Sequence, residues 1–372
     1  MRPLALRLLG SAASTVDRAF VGALQLRSRG KRAIAESLPH AERMASLARI
    51  ERTYAAPEHF TDPEAFFPRP AQVTPALRRV RDLPWGGECL ELSWPSAFEP
   101  FDARVGTRYL AHVPNRTAHA RIYAGHAGHG GPTGAGRPAV IAVHGYMGGH
   151  WAFEERAWPI RSLNRWGLDV ATAVLPFHAL RARPGEGAPP FPAGDPRVTN
   201  EGFRQTVADL RSLIAILRQR GASSVGIMGM SLGGYSTALM ATLEADLSFA
   251  APIIPLASVA DYARDHGHLG SGNLGSGDDA TLQHAALEAA NRVVSPFARP
   301  ALIPKERLLI IAGEDDRVTP IAHAERLAEH FGVPLLRLHG GHIVQTWRAT
   351  GFRALHDLLR RSGLTGAWTP TA

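Results

Sequence analysis

The sequence predicts an α/β fold: a mostly parallel central sheet with helices on both faces, plus a helical N-terminal extension and a lid insertion. Three observations carry this expectation. Short apolar runs ("AVIAVHGY", "DVATAVLPFH", "SVGIMGMS", "FAAPIIPLA", "RLLIIAGED" and "PLLRLHGGH") recur from residue 139 onward. Between them lie amphipathic segments such as "FRQTVADLRSLIAILRQRG" and "AHAERLAEHFG". Continuous Val/Ile/Leu runs belong to strands buried on both faces, the environment of a parallel sheet flanked by helices. Ahead of these runs, "CLELSW", "TRYLAHVP" and "AHARIYAG" read as strands of an antiparallel start to the sheet.

Taken in order, the chain of 372 residues divides into a helical extension, 1–87, and an α/β domain, 88–372, with the lid at about 258–305 and a lid helix at 280–293. The segment "MRPLALRLLGSAASTVDRAFVGALQL" sets Arg7, Ser11, Ser14, Arg18 and Gln25 on one helical face. Leu4, Leu8, Ala12, Val16, Ala19, Phe20 and Ala23 fall on the other. Such a basic amphipathic helix docks on its own domain or makes peripheral contact with an anionic membrane surface. Its short apolar run also leaves a weak export signal open.

The net charge of +8 is concentrated rather than spread: residues 1–81 hold fourteen Lys/Arg against seven Asp/Glu, and the remainder 27 against 26. No nucleic-acid motif accompanies it, and no nucleic-acid partner is expected. A single cysteine, Cys89, excludes an intrachain disulfide and any CxxC site, and fits a cytoplasmic compartment. No apolar run approaches the roughly eighteen residues that span a bilayer. In "AGHAGHGGPTGAGRP", His126 and His129 have no cysteine or acidic partner, so no metal is expected. "GSGNLGSG" contains GxGxxG at Gly270, Gly272 and Gly275, but no strand precedes it, so a lid loop is expected rather than a nucleotide site.

The chemistry centres on "VGIMGMSLGG". A serine on a sharp strand-to-helix turn needs small residues two positions to either side, here Gly229 and Gly233 around Ser231. Such a serine needs a histidine base and an acid to orient it, downstream at strand ends in the order acid then histidine. "RLLIIAGEDDRVTP" supplies Asp316, three residues past the strand-ending Gly313, with Asp315 and Asp261 as alternatives. "LLRLHGGH" supplies His342, preferred over His339 at the end of the strand. An oxyanion hole would use the backbone N–H of Leu232 and that of Tyr146 in "VHGYMGG", with Met147 as the alternative second donor. His144 is read as a loop brace. His178 and Trp151, on strand-end loops, are candidate substrate contacts, while Arg181 and Arg183 meet either an anionic substrate group or solvent.

These elements in sequence (HGY at 144–146, GMSLG at 229–233, GEDD at 313–316, GGH at 340–342) resemble the serine hydrolases of the α/β-hydrolase superfamily over roughly residues 100–362. The loop "LPFHALRARPG" is similar to the dienelactone-hydrolase and prolyl-oligopeptidase-like branch, with a fainter likeness to relatives of alpha/beta-hydrolase domain-containing protein 18. The resemblance implies an α/β-hydrolase fold, a small-molecule ester substrate and no cofactor. An esterase or lipase-like enzyme is the leading expectation. An acyltransferase or peptidase with the same triad, or a binding protein that lost turnover, are the alternatives.

Overall fold

The computed structural model describes residues 10–23, 39–125, 136–269, 277–346 and 348–365. In chain order the strands are β1 (Ala76–Asp82), β2 (Glu88–Pro95), β3 (Thr117–Ala124), β4 (Ala139–Val143), β5 (Asp169–Ala173), β6 (Val225–Met230), β7 (Leu247–Ile253), β8 (Ile310–Gly313) and β9 (Leu335–Leu338). They form one sheet in the order β1-β2-β3-β5-β4-β6-β7-β8-β9. The β1, β2, β3 and β5 pairings are antiparallel, and every pairing from β5 through β9 is parallel.

The helices are α1 (10–23), α2 (His40–Tyr54), α3 (Glu58–Thr61), α4 (Ala103–Leu110), α5 (Trp151–Ala157), α6 (Ile160–Arg165), α7 (Pro196–Gln219), α8 (Leu232–Ala241), α9 (Val259–Asp265), α10 (Gly277–Ala290), α11 (Ile321–Phe331) and α12 (Arg348–Arg361). β4 shows why its run is apolar throughout. Ile141 and Val143 join a core shared with α2, α7, α8 and α11, while Val140 and Ala142 join a second core with α6 and α12. Alternate residues feed opposite faces, and both faces are covered.

Three expectations need correction. The extension 1–87 is not wholly helical: β1 lies inside it and pairs with β2, Leu77 opposite Leu92. Its sequence, "ALRRVRD", is an exposed edge strand rich in arginine, so it lacks the apolar alternation that would reveal it. "TRYLAHVP" is not a strand but the end of α4 and a following turn. Asp102 caps that helix by accepting from Arg104 N–H at 2.9 Å, and Val105 and Tyr109 face inward. The lid helix is α10, which begins at Gly277 rather than at 280.

The extension and the lid are joined. Arg43 of α2 donates to His268 O at 3.1 Å, and Gln283 of α10 lies 3.1 Å from His40. Tyr54 donates to Glu201 of α7 at 2.7 Å, and that carboxylate also accepts the N–H groups of Phe101 and Asp102. His126, His129, Gly270, Gly272 and Gly275 lie outside the described residues. Among the described residues no helix is long and apolar enough to cross a membrane.

β5 lies on one side of β4 and β6 on the other, so the chain reverses its winding there. In an open α/β sheet such a switch leaves a crevice at the carboxyl ends of the strands. The HGY loop follows β4 and Ser231 follows β6, and both therefore open on that crevice.

Candidate active site

Ser231 stands between β6 and α8 with φ 56° and ψ −113°. A non-glycine residue held at positive φ costs about 1–3 kcal/mol and persists only where its surroundings fix it. Here the N–H of Ser231 donates to Ile253 O at 3.0 Å, and its carbonyl accepts from Tyr235 and Leu256 at 3.0 and 3.1 Å. The flanking glycines are obligatory for a packing reason. A Cβ on Gly229 would lie 2.1 Å from Gly233 O, and one on Gly233 would lie 2.0 Å from Val143 O. The turn closes only because both positions lack side chains.

The acid and the histidine are stitched together by backbone. Glu314 N–H donates to Leu338 O at 2.8 Å and Asp315 N–H to Gly340 O at 3.1 Å. Across this seam His342 Nδ1 lies 2.7 Å from Asp316 Oδ2. Asp316 Oδ1 accepts the N–H groups of Val318 and Thr319, each at 2.8 Å, and Thr319 Oγ1 lies 3.2 Å from Oδ2. With its Nδ1 proton directed at a carboxylate, the imidazole presents Nε2 as the free basic nitrogen. Burial lowers the affinity of His342 for a proton. The charge and hydrogen bond of Asp316, with the charge of Asp17 behind them, outweigh this and leave its pKa raised.

The two alternative acids are occupied elsewhere. Asp315 Oδ2 accepts Gly340 N–H at 3.2 Å, and Asp261 binds His284 and Arg326 at 2.8 and 2.7 Å. His339 pairs with Glu314 at 2.7 Å.

The HGY loop runs beside the serine: a Cβ on Gly145 would lie 3.3 Å from Ser231 Cβ. His144 Nε2 accepts Leu175 N–H at 3.0 Å, so its Nδ1 carries the proton donated to Gly145 O at 2.7 Å. Burial lowers its pKa, which keeps the ring neutral in this bracing role. Glu154 holds the far side of the loop, accepting Gly149 N–H at 2.7 Å and Trp158 Nε1–H at 2.9 Å. Tyr146 donates its hydroxyl to Pro189 O at 2.9 Å, with its pKa pushed up to about 12 by burial. Met147 is held at φ 65°.

Two expected substrate contacts are engaged otherwise. His178 is completely buried, its ring packed against His144 and Tyr146, so it supports the HGY loop instead of facing a ligand. Trp151 is half-buried, with the guanidinium of Arg121 4.9 Å above its ring. The arginines after "LPFH" are structural as well. Arg181 is fully buried in an ion pair with Asp209 at 2.7 Å, and Arg183 donates to Ala111 O at 2.9 Å.

Among the described residues, one cluster brings metal-type donors together. Asp261, His284 and Glu288 bring ligating atoms within 4.8 Å of one another. Arg326 Nη1 already sits 2.7 Å from Asp261 and 2.6 Å from Glu288, which puts a guanidinium in the place of a cation.

Thr319 and Asp17 escaped the sequence reading. Thr319 carried a weak signal, a threonine three residues after an aspartate, which is a recurrent turn pattern. Asp17 carried none.

A sequence profile of the prolyl oligopeptidase family matches residues 193–333. The chain is 32% identical over 323 residues to an uncharacterized protein of Mycobacterium tuberculosis (strain ATCC 25618 / H37Rv), covering 82% of this chain and 72% of the relative. An uncharacterized protein of strain CDC 1551 / Oshkosh gives the same figures. Among solved structures, an acetyl xylan esterase from Paenibacillus sp. R4 is similar at TM-score 0.54 and 15% identity, over 83% of this chain and 98% of that one. Acetyl xylan esterase 1 from Thermoanaerobacterium sp. JW/SL YS485 gives TM-score 0.52 and 16% identity, over 84% and 98%. At such identities the likeness is one of fold.

Proposed function

We propose that this chain, whose fold is that of the α/β hydrolases and whose residues 193–333 match the prolyl oligopeptidase family, is a serine hydrolase of that superfamily that hydrolyses carboxylic esters through Ser231, His342 and Asp316. The observation that carries the reading is the positive-φ turn at Ser231, fixed by backbone on every side. Strain of that kind is retained where a side chain must be presented.

In the proposed reaction Ser231 Oγ bonds to the acyl carbon while His342 Nε2 takes its proton. The C–O bond to the alcohol then breaks, and Nε2 returns the proton to the departing oxygen. Water repeats the two steps in reverse and releases the acid. Asp316 keeps the imidazole in the tautomer that offers Nε2. The N–H of Leu232, first residue of α8, and that of Tyr146 or Met147 stabilise the developing oxyanion, aided by the positive end of the helix. Ser231 and His342 are only 9% and 8% exposed, which favours slim acyl groups.

The test is hydrolysis of a p-nitrophenyl ester series, from acetate to palmitate, beside a peptide p-nitroanilide. Acetate or butyrate should be cleaved fastest, and Ser231→Ala should lower kcat by about 10^6-fold. The prolyl oligopeptidase match favours a second reading, amide cleavage. Turnover of the anilide with the esters untouched would establish that reading instead.

A further inference from the structure

We propose that Asp17, carried by α1, is a positioning residue of this active site that clips the histidine loop to the acid loop. The proposal rests on the triad reading above and adds to it a residue 325 positions from the histidine it holds. Asp17 is completely buried. Its Oδ2 accepts the backbone N–H of His342 at 2.8 Å and that of Arg317 at 3.0 Å, and its Oδ1 accepts Ile343 N–H at 3.0 Å. Two of these donors flank the base and the third follows the acid Asp316 directly. One carboxylate thus fixes both loops from outside the hydrolase core.

The rest of the helix face fits the same purpose. Positions 10, 14 and 17 lie on one side of α1 at spacings of four and three. Ser14 Oγ donates to Asp315 O at 2.9 Å. Both chains are pared down to glycine where they meet. A Cβ on Gly10 would lie 2.7 Å from Asp315, and a Cβ on Gly341 would lie 2.7 Å from Asp17 Oδ2.

Apolar burial accounts for only part of this docking, through Ala13 and Val21. Val16 is left 41% exposed, Ala12 and Ala19 are exposed, and Phe20 is half-buried, while the charged residue is enclosed. The described part of the face expected to be apolar (Ala12, Val16, Ala19, Ala23) therefore points outward. A helix docked only for stability would turn the other way, since enclosing a carboxylate is costly unless every oxygen is satisfied. Here three N–H groups satisfy it, and all three belong to the loops of the triad.

Among the described residues the charged groups facing His342 are Asp316, after β8, and Asp17, from α1. Removing the second leaves a measurable trace in the titration of the base as well as in its placement. Displacing the ring from Asp316 would move that titration too, so the near-isosteric Asp17→Asn is the variant that reads the charge.

The test uses full-length chain and p-nitrophenyl acetate, with Asp17→Asn, Asp17→Ala and Ser14→Ala. A base displaced by a fraction of an ångström to an ångström costs up to about 100-fold, so Asp17→Ala should lose about that much in kcat with KM within twofold. Asp17→Asn, which keeps its volume and one acceptor oxygen, should lose about tenfold. In Asp17→Asn the acidic limb of the kcat/KM profile should also move to lower pH, because a negative charge beside His342 is gone. Ser14→Ala, which loses one neutral hydrogen bond to the acid loop, should lose less than Asp17→Asn, about two- to fivefold. Wild-type kcat together with an unmoved limb in Asp17→Asn would overturn the proposal, whether or not Asp17→Ala folds. So would a loss confined to KM. An inert wild type that also resists fluorophosphonate would overturn the hydrolase reading and this one with it. An active wild type with unaffected Asp17 variants overturns this one alone.

Discussion

Among the described residues, two buried aspartates each pair with a histidine at nearly the same distance. His342 lies 2.7 Å from Asp316, and His284 lies 2.8 Å from Asp261. Distance does not distinguish them; surroundings do. Asp261 also meets Arg326 at 2.7 Å and Arg264 at 2.9 Å. Burial raises its pKa, but the hydrogen bonds of His284 and Arg326 outweigh that and hold the carboxyl below its usual range. Asp316 is satisfied instead by the N–H groups of Val318 and Thr319 and by a threonine hydroxyl, and no arginine pairs with it among the described residues. Its charge is left to act on the imidazole. One pair is a strut between lid and α11, and the other is the pair proposed here as the acid–base device.

Equivalent substitutions should separate the two. Asp316→Asn should lower kcat by about 10^4-fold, since the amide favours the wrong tautomer of His342. Asp261→Asn should leave kcat within about threefold and cost roughly 1–2 kcal/mol of stability, because it strands partly exposed guanidiniums. Equal losses of activity would erase the contrast. The next effect is in pH. His342 must be unprotonated to act as a base, and its pKa is raised above the ordinary 6.5. The acidic limb of kcat/KM, which reports the free enzyme, should therefore fall away below a midpoint above 6.5, against the sense expected from burial alone. A midpoint under that value would mean that burial outweighs the charges of Asp316 and Asp17. The smallest effect is expected at Thr319→Val, which keeps the shape and removes a hydroxyl 3.2 Å from Asp316. The bond is long and the carboxylate keeps the N–H groups of Val318 and Thr319, so a loss of only about two- to tenfold in kcat is predicted.

What was legible in the sequence follows the same division. The glycines around Ser231 were readable because steric demand confines the residue type at fixed spacing. β4 to β8 were readable because burial on both faces leaves mostly apolar choices. β1 and α4 were misread where an edge strand carries arginines and a capped helix mimics alternation. His178 and Arg181 were misread because a polar residue after a strand end looks the same whether it faces a ligand or braces a loop. Asp17 was invisible for a different reason. Its partners are backbone N–H groups 300 to 326 residues away, and backbone leaves no residue-type signature.

The most direct test of the central claim is intact-mass and peptide mapping after reaction with a fluorophosphonate. One adduct on Ser231 in the wild type, absent in Ser231→Ala and strongly slowed in His342→Ala but not in His284→Ala, is the predicted result. No adduct, or an adduct on another residue that persists in Ser231→Ala, would contradict it.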